Sequence, residues 1–231
     1  MTNPPKIHFV SATRETKANF FTRTALGRSL DIYRKSGADF GLTLFDENTL
    51  GLPKVYNQAI HDCQELDSIL VFIHDDAYLC DLYWPGRIQQ GTRVFDILGV
   101  VGNRRRVPMQ PAWHLINRQT MDSFENLSGM IAHGSGFPPV DVSCFGPSGN
   151  EVITLDGVLL ISHVNTLHKH SLYFDEQFDF HFYDMDFCRQ AELKGVKMGT
   201  WPITLIHESY GGRDNDAWET AYQRYLTKWH A

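Results

Sequence analysis

His74, Asp75 and Asp76 follow directly on the unbroken apolar run Ile69-Leu70-Val71-Phe72-Ile73. Two adjacent carboxylates repel each other. A divalent cation relieves that repulsion, because hard cations take oxygen ligands. The alternative for the same pair is a turn in which each Asp bonds the nearby backbone. Other groups with chemical capacity are scattered: Asp156-Gly157 inside EVITLDGVLLIS, Asp184 and Asp186 at the start of DMDFCRQAELKG, and His207-Glu208-Ser209. A carboxylate at a helix start accepts backbone N–H bonds, which lower its pKa and keep it ionised, while burial pushes the pKa up. Asp186, two positions after Asp184, must face elsewhere on a helix; its expected use there is to stabilise the helix dipole.

The elements that must position these groups alternate. Residues 6–10 read as a strand whose exit is Ser11-Ala12-Thr13-Arg14, and a helical segment runs through Phe20, Phe21 and Ala25 toward Leu30 and Tyr33. Residues 41–45 form a second strand with the polar exit Asp46-Glu47-Asn48. Residues 54–66 are helical, with Val55, Ala59, Cys63 and Leu66 on one face. The run 69–73 is then a strand covered on both faces, as in a parallel sheet. An order β, α, β, α, β implies right-handed crossovers and helices on both sides of a mostly parallel sheet. In such sheets ligands bind outside the carboxyl ends of the strands, where the exits at 11–14, 46–48 and 74–76 gather.

Beyond residue 81 the sequence predicts a helix from about residue 85, a strand over 97–102, and irregular loops from 103 to 150 that cover a site. A strand over 151–162 carries Asp156-Gly157 in its middle, where glycine admits a close approach by backbone or ligand. The helix opened by Asp184 stops at Gly195. Short strands over 196–201 and 203–206 precede a final helix, with Asp216 and Glu219 as a capping box and Trp218, Tyr222, Tyr225 and Trp229 as one stripe. That stripe serves core packing; the alternative is peripheral docking on a membrane surface.

The 231 residues allow a sizeable core, and 42% hydrophobic with 21% charged residues is a globular balance. A formal net charge of -6 lacks the basic footprint of a nucleic-acid binder, and Arg104-Arg105-Arg106 is too short to supply one. Four dispersed cysteines form no CxxC motif; Cys63 and Cys188 read as small core residues, which fits a reducing compartment. The first residues lack the features of a signal peptide and no run reaches membrane-spanning length, so the expected location is the cytoplasm. No HExxH or comparable spacing supports a histidine-based hydrolase, and His168 and His170 read as an exposed loop.

Three blocks carry a resemblance over most of the chain: GLPKVYNQAI at 51–60 followed by VFIHDD, then LDG at 155–157, then FDEQFDFHFYDMDFCRQAELKG at 174–195 with HES at 207–209. Their order and spacing resemble the family 2-like glycosyltransferases of the GT-A fold, in the branch with HDD in place of DxD. The resemblance implies one GT-A-like α/β domain over residues 1–231. It implies a metal-dependent enzyme that moves a sugar from a nucleoside-diphosphate sugar to the hydroxyl of a glycan or other acceptor, with inversion. Asp76 and His207 are then the metal ligands, with Mn²⁺ favoured over Mg²⁺ because one ligand is an imidazole. His74, Asp75 and Asp156 are donor contacts, as are Ser11, Thr13 and Asp46 by position on the first two strand exits. Asp184 is the catalytic base. His74 and Tyr183 depart from the family pattern, which has Asp and Glu there. Those departures favour the alternative of a catalytically silent domain that binds sugar nucleotides or glycans.

Overall fold

The computed structural model describes residues 4–230. The chain opens with β1 (Ile7–Ala12), α1 (Lys17–Arg23), α2 (Ala25–Lys35), β2 (Gly41–Phe45), α3 (Leu52–Asp62) and β3 (Ile69–Ile73). β1 pairs in parallel with β2 on one side and β3 on the other. The three strand exits therefore lie side by side, as the β-α alternation predicts. Every residue of β3 is buried. Ile69, Val71 and Ile73 pack toward α1 and α2 with Phe20, Leu26 and Leu30, whereas Leu70 and Phe72 pack toward α3 with Val55, Tyr56 and Ile60. Period-two alternation on a strand buried on both faces thus divides the core into two layers.

The helical segment after β1 is two helices. Thr24 lies between them with an extended backbone and its hydroxyl accepts from the Gly27 N–H at 3.0 Å. Gly27 does not end the second helix; its missing side chain makes room for the Phe20 carbonyl.

After β3 come β4 (Ala77–Leu79), α4 (Trp84–Gly91), β5 (Ile97–Gly99), β6 (Val101–Asn103), β7 (Leu127–His133), β8 (Asp141–Gly146), β9 (Glu151–Val152), β10 (Thr154–Leu155), β11 (Leu159–His163) and α5 (Val164–Lys169). The chain ends with α6 (Tyr183–Leu193), β12 (Met198–Thr200), β13 (Leu205–His207) and α7 (Asp216–Trp229). The strands form two sheets, with order β2-β1-β3-β11-β5-β12-β9 in the larger and β10-β6-β7-β13-β4 in the smaller, β8 pairing with β7. β11 runs antiparallel to both β3 and β5, so the large sheet is mixed. It is entered from the smaller sheet, not by a helical crossover from β3, and the parallel-crossover rule does not govern it.

Four stretches pass from the large sheet to the small one: β3 to β4, β5 to β6, β9 to β10, and β12 to β13. Two expected continuous strands are divided for this reason. Residues 97–102 break at Val100, and 151–162 break twice, leaving Asp156 and Gly157 in a turn before β11. The stretch 103–150 is also not all loop, because β7 lies inside the smaller sheet and β8 pairs with it. In α7 the N-cap is Asn215, whose side chain accepts from the Trp218 N–H at 2.9 Å, while Glu219 pairs with Arg118 instead of closing a box with Asp216. Trp218, Tyr222 and Tyr225 are buried against Phe182, so the aromatic stripe is part of the core. No helix among the described residues is long and apolar enough to cross a membrane. Cys188 is buried in α6, whereas Cys63 is only half-buried at the end of α3.

Candidate active site

The HDD motif sits where β3 leaves the large sheet. β4 pairs antiparallel with β13, with Ala77 opposite His207. This register sets the His207 Nε2 at 3.1 Å from the Asp76 Oδ1, and the Glu208 N–H donates to the Asp76 carbonyl at 2.9 Å. On the other side the Leu26 N–H donates to the Asp75 carbonyl at 2.9 Å. The His74 Nδ1 lies 3.9 Å from the same Asp76 oxygen. One ligand atom from each of His74, Asp76 and His207 falls within 4.8 Å of the others. Two imidazoles and a carboxylate are a donor set that fits a divalent transition ion such as Mn²⁺.

Electrostatics in this cluster follow from burial and proximity. Burial raises the Asp76 carboxyl, but the hydrogen bond and charge of His207 and the charge of His74 outweigh it and hold the group at about 2. His207 is raised: burial acts against its charged form, and the bond to Asp76 overcomes that. Burial dominates at His74, which is lowered, and at Asp75, which is raised even though the Thr13 hydroxyl pulls the other way.

Asp184 stands on a second platform. Phe182, with φ of 64°, turns the chain into α6 in the left-handed region, and the next two side chains grip one residue. The Tyr183 hydroxyl donates to the Gly157 carbonyl at 2.8 Å, while the Gly157 N–H donates to the Asp184 Oδ2 at 2.9 Å. A Cβ on Gly157 would run into the Tyr183 hydroxyl, so this close approach requires glycine. Burial and the neighbouring Asp156 charge push the Asp184 carboxyl up to about 7, against the N–H bonds from Met185 and Gly157 that pull it down. Asp156 is itself fixed by the Trp113 Nε1–H at 2.6 Å and the Val158 N–H at 2.8 Å. Asp186 faces away and is fully buried, bonded to the Trp229 indole N–H at 2.8 Å and paired with Lys228 at 2.6 Å. It is a packing anchor for α7, not only a dipole residue.

Two clefts meet at this point. The larger, about 960 Å³, is lined by Thr13, Arg14, Asn48, Leu52, Asp75 and Asp76 among others. The smaller, about 390 Å³, is lined by Trp113, His114, Asp156, Asp184, His207 and Arg213 among others. His74 and Phe180 border both.

Of the residues expected at the donor, Thr13, His74 and Asp75 line the large cleft. Ser11 does not: it is fully buried with its hydroxyl unpartnered, on the strand interior. Asp46 is turned away as well, accepting from the Lys17 N–H at 3.0 Å at the start of α1, and the cleft wall there is Glu47 and Asn48. Asp156 lines the smaller cleft beside Asp184, not the larger one. Trp113, His114 and Arg213 were not foreseen. Burial drives His114 down to about 4, so it is a neutral ring in the wall. The signal for Trp113 was an aromatic residue in a stretch read as loop.

No protein-family profile matches the chain, and no curated protein matches it in sequence. Solved structures do match in shape. The catalytic domain of Drosophila β1,4-galactosyltransferase 7 in complex with xylobiose aligns with a TM-score of 0.53 at 8% identity, over 95% of this chain and 79% of that one. GalNAc-T7 with UDP, GalNAc and Mn²⁺ aligns with a TM-score of 0.54 at 11% identity, over 98% of this chain and 48% of that one. S. aureus TarS residues 1–349 align with a TM-score of 0.46 at 13% identity, over 88% of this chain and 60% of that one. The chain therefore spans about half of GalNAc-T7 and less than two thirds of the TarS piece. At these identities the likeness is one of fold, and the fold is that of the GT-A glycosyltransferases.

Proposed function

We propose that this protein transfers a sugar from a nucleoside-diphosphate donor to an acceptor hydroxyl, with inversion and with a divalent cation. The observation that carries this reading is the Asp184 carboxyl, held at about 7 in the smaller cleft where that cleft meets the HDD motif. A base poised near neutral pH is what proton removal from a sugar hydroxyl needs. The fold neighbours add support in kind: β1,4-galactosyltransferase 7 was solved with manganese, UDP-Gal and xylobiose, and GalNAc-T7 with UDP, GalNAc and Mn²⁺.

In this reading the larger cleft takes the nucleotide, with Thr13 and Asp75 on its wall, and the smaller takes the acceptor. Asp76 and His207 would hold the cation, which would supply charge neutralisation at the departing diphosphate. Asp184 accepts the acceptor's proton as the hydroxyl oxygen bonds to the anomeric carbon and the bond from that carbon to the diphosphate breaks. Asp156 keeps Asp184 basic by its charge, and the Gly157 N–H orients it. Trp113 lines the acceptor cleft and Phe180 borders both clefts. The HDD branch of the family is part of this proposal, as is the reading of the chain as one catalytic domain.

Thermal melts with a panel of UDP-, GDP- and dTDP-sugars in Mn²⁺ test it. At least one donor is expected to raise the Tm of the parent and not of Asp76→Ala. A donor that binds but whose sugar never leaves the diphosphate, with any acceptor offered, supports a silent binding domain instead.

A further inference from the structure

The family resemblance puts His74 against the nucleotide, but its hydrogen bonds point elsewhere. Tyr183 is buried and its hydroxyl has one proton, which goes to the Gly157 carbonyl at 2.8 Å, an atom that can only accept. The same oxygen lies 2.9 Å from the His74 Nε2. With its proton committed, the hydroxyl accepts there, so the imidazole carries its hydrogen on Nε2 and its lone pair on Nδ1. The Nδ1 is the atom turned to Asp76, 3.9 Å from Oδ1, on the side where His207 also reaches that oxygen. The ring plane is fixed as well, because Phe180 stacks on it with centroids 5.6 Å apart at 30°. A histidine whose outer N–H is held by a fixed acceptor and whose other nitrogen faces a carboxylate has the arrangement of a metal ligand with its supporting shell.

We propose that His74 binds the cation directly through Nδ1, so that His74, Asp76 and His207 form a three-ligand site that is complete before any nucleotide arrives. The inference rests on the metal-dependent reading of this cleft and goes beyond it, because it assigns a different ligand set and a different order of binding. Tyr183 is then a positioning residue: it sets which imidazole nitrogen is free. Two nitrogens and one carboxylate also select Mn²⁺ and its transition-metal neighbours over Mg²⁺.

The test uses the full chain without nucleotide. Calorimetric titration with MnCl₂ is expected to show one site. Pulsed EPR of the Mn²⁺-loaded parent should then show two directly bound imidazole nitrogens. Tyr183→Phe should weaken Mn²⁺ binding roughly 10- to 100-fold, the usual effect of losing a supporting partner, and His74→Ala at least as much. Circular dichroism establishes that each variant is folded, and the nitrogen count on the parent needs no variant. A single bound imidazole, or Tyr183→Phe with parental affinity, overturns the proposal. So does Mn²⁺ binding seen only with a sugar nucleotide present, an outcome that leaves the transferase reading standing. Absence of Mn²⁺ binding under either condition would remove the metal-dependent reading itself.

Discussion

Asp184 and Asp186 are two residues apart on one helix and have opposite surroundings. Asp184 has Asp156 as its neighbour, so burial and like charge raise it to about 7. Asp186 is paired with Lys228 and the Trp229 indole. The rate of transfer should therefore rise with pH, about tenfold per unit, up to about 7 and level off above it, where Asp184 is ionised. A profile flat from about pH 5 to 9 would count against Asp184 as the base. The same shift bears on stability. With its folded pKa above the unfolded value of about 3.9, Asp184 contributes stability that is full below that value and lost as pH rises through about 7. Asp184→Asn should consequently melt higher than the parent at pH 8 and near it at pH 4, a comparison that scanning calorimetry makes directly. Asp186→Asn should instead cost stability, about 1–3 kcal/mol, because it weakens a buried charged hydrogen-bond pair. The facing of these two carboxylates was legible from helical spacing. The balance at Asp184 was not, since Asp156 is distant in sequence and nothing in the local pattern says it will be a neighbour.

At the scale of elements, the strands that carry the large cleft were plain because each is a short apolar run followed by a polar exit. The smaller sheet was hidden. β7 contains Ser128, Gly129 and His133, and β8 is largely exposed, so neither shows an apolar run or a clean alternation. Gly129 is there because of close packing: its φ is 94° and a side chain would meet the Val100 carbonyl. Sheet switching hid the rest, since a chain that passes from one sheet to another keeps its apolar character through the break, as at Val100. Ser11 and Asp46 fall outside the cleft for different reasons: Ser11 still belongs to β1 and is buried in the sheet, and Asp46 is exposed and taken up by the Lys17 N–H at the start of α1. The element of most consequence is the turn at Gly157 that Tyr183 and Asp184 grip. Gly157→Ala should displace both side chains at once, since its Cβ would lie 3.0 Å from the Asp184 Cβ as well as against the Tyr183 hydroxyl. The expected result is a loss of about 1–3 kcal/mol in chemical denaturation, as overpacking gives, together with loss of transfer. Unchanged stability would show that the turn yields freely.

Across the whole molecule, rigid and mobile parts should divide along the two clefts. β3 has buried residues on both faces and pairs on both sides, so its amides should exchange most slowly. β7, flanked by β6, β8 and β13, should be protected too, against the expectation for a loop. The stretch 208–215, which contributes Ser209, Tyr210 and Arg213 to the smaller cleft, has exposed residues and no regular pairing and should exchange fastest among the cleft walls. Hydrogen exchange with mass analysis would check this, and binding of a sugar nucleotide with Mn²⁺ should slow exchange there first. The proposed transfer rests on one carboxylate, Asp184, in the smaller cleft. Its most direct test is turnover of parent and Asp184→Asn at saturating donor and Mn²⁺. Asp184→Asn should bind donor as the parent does and transfer roughly 100- to 10,000-fold more slowly, the usual effect of losing a general base. Parental turnover in Asp184→Asn, with loss in Asp186→Asn instead, would contradict the assignment of Asp184 as the base.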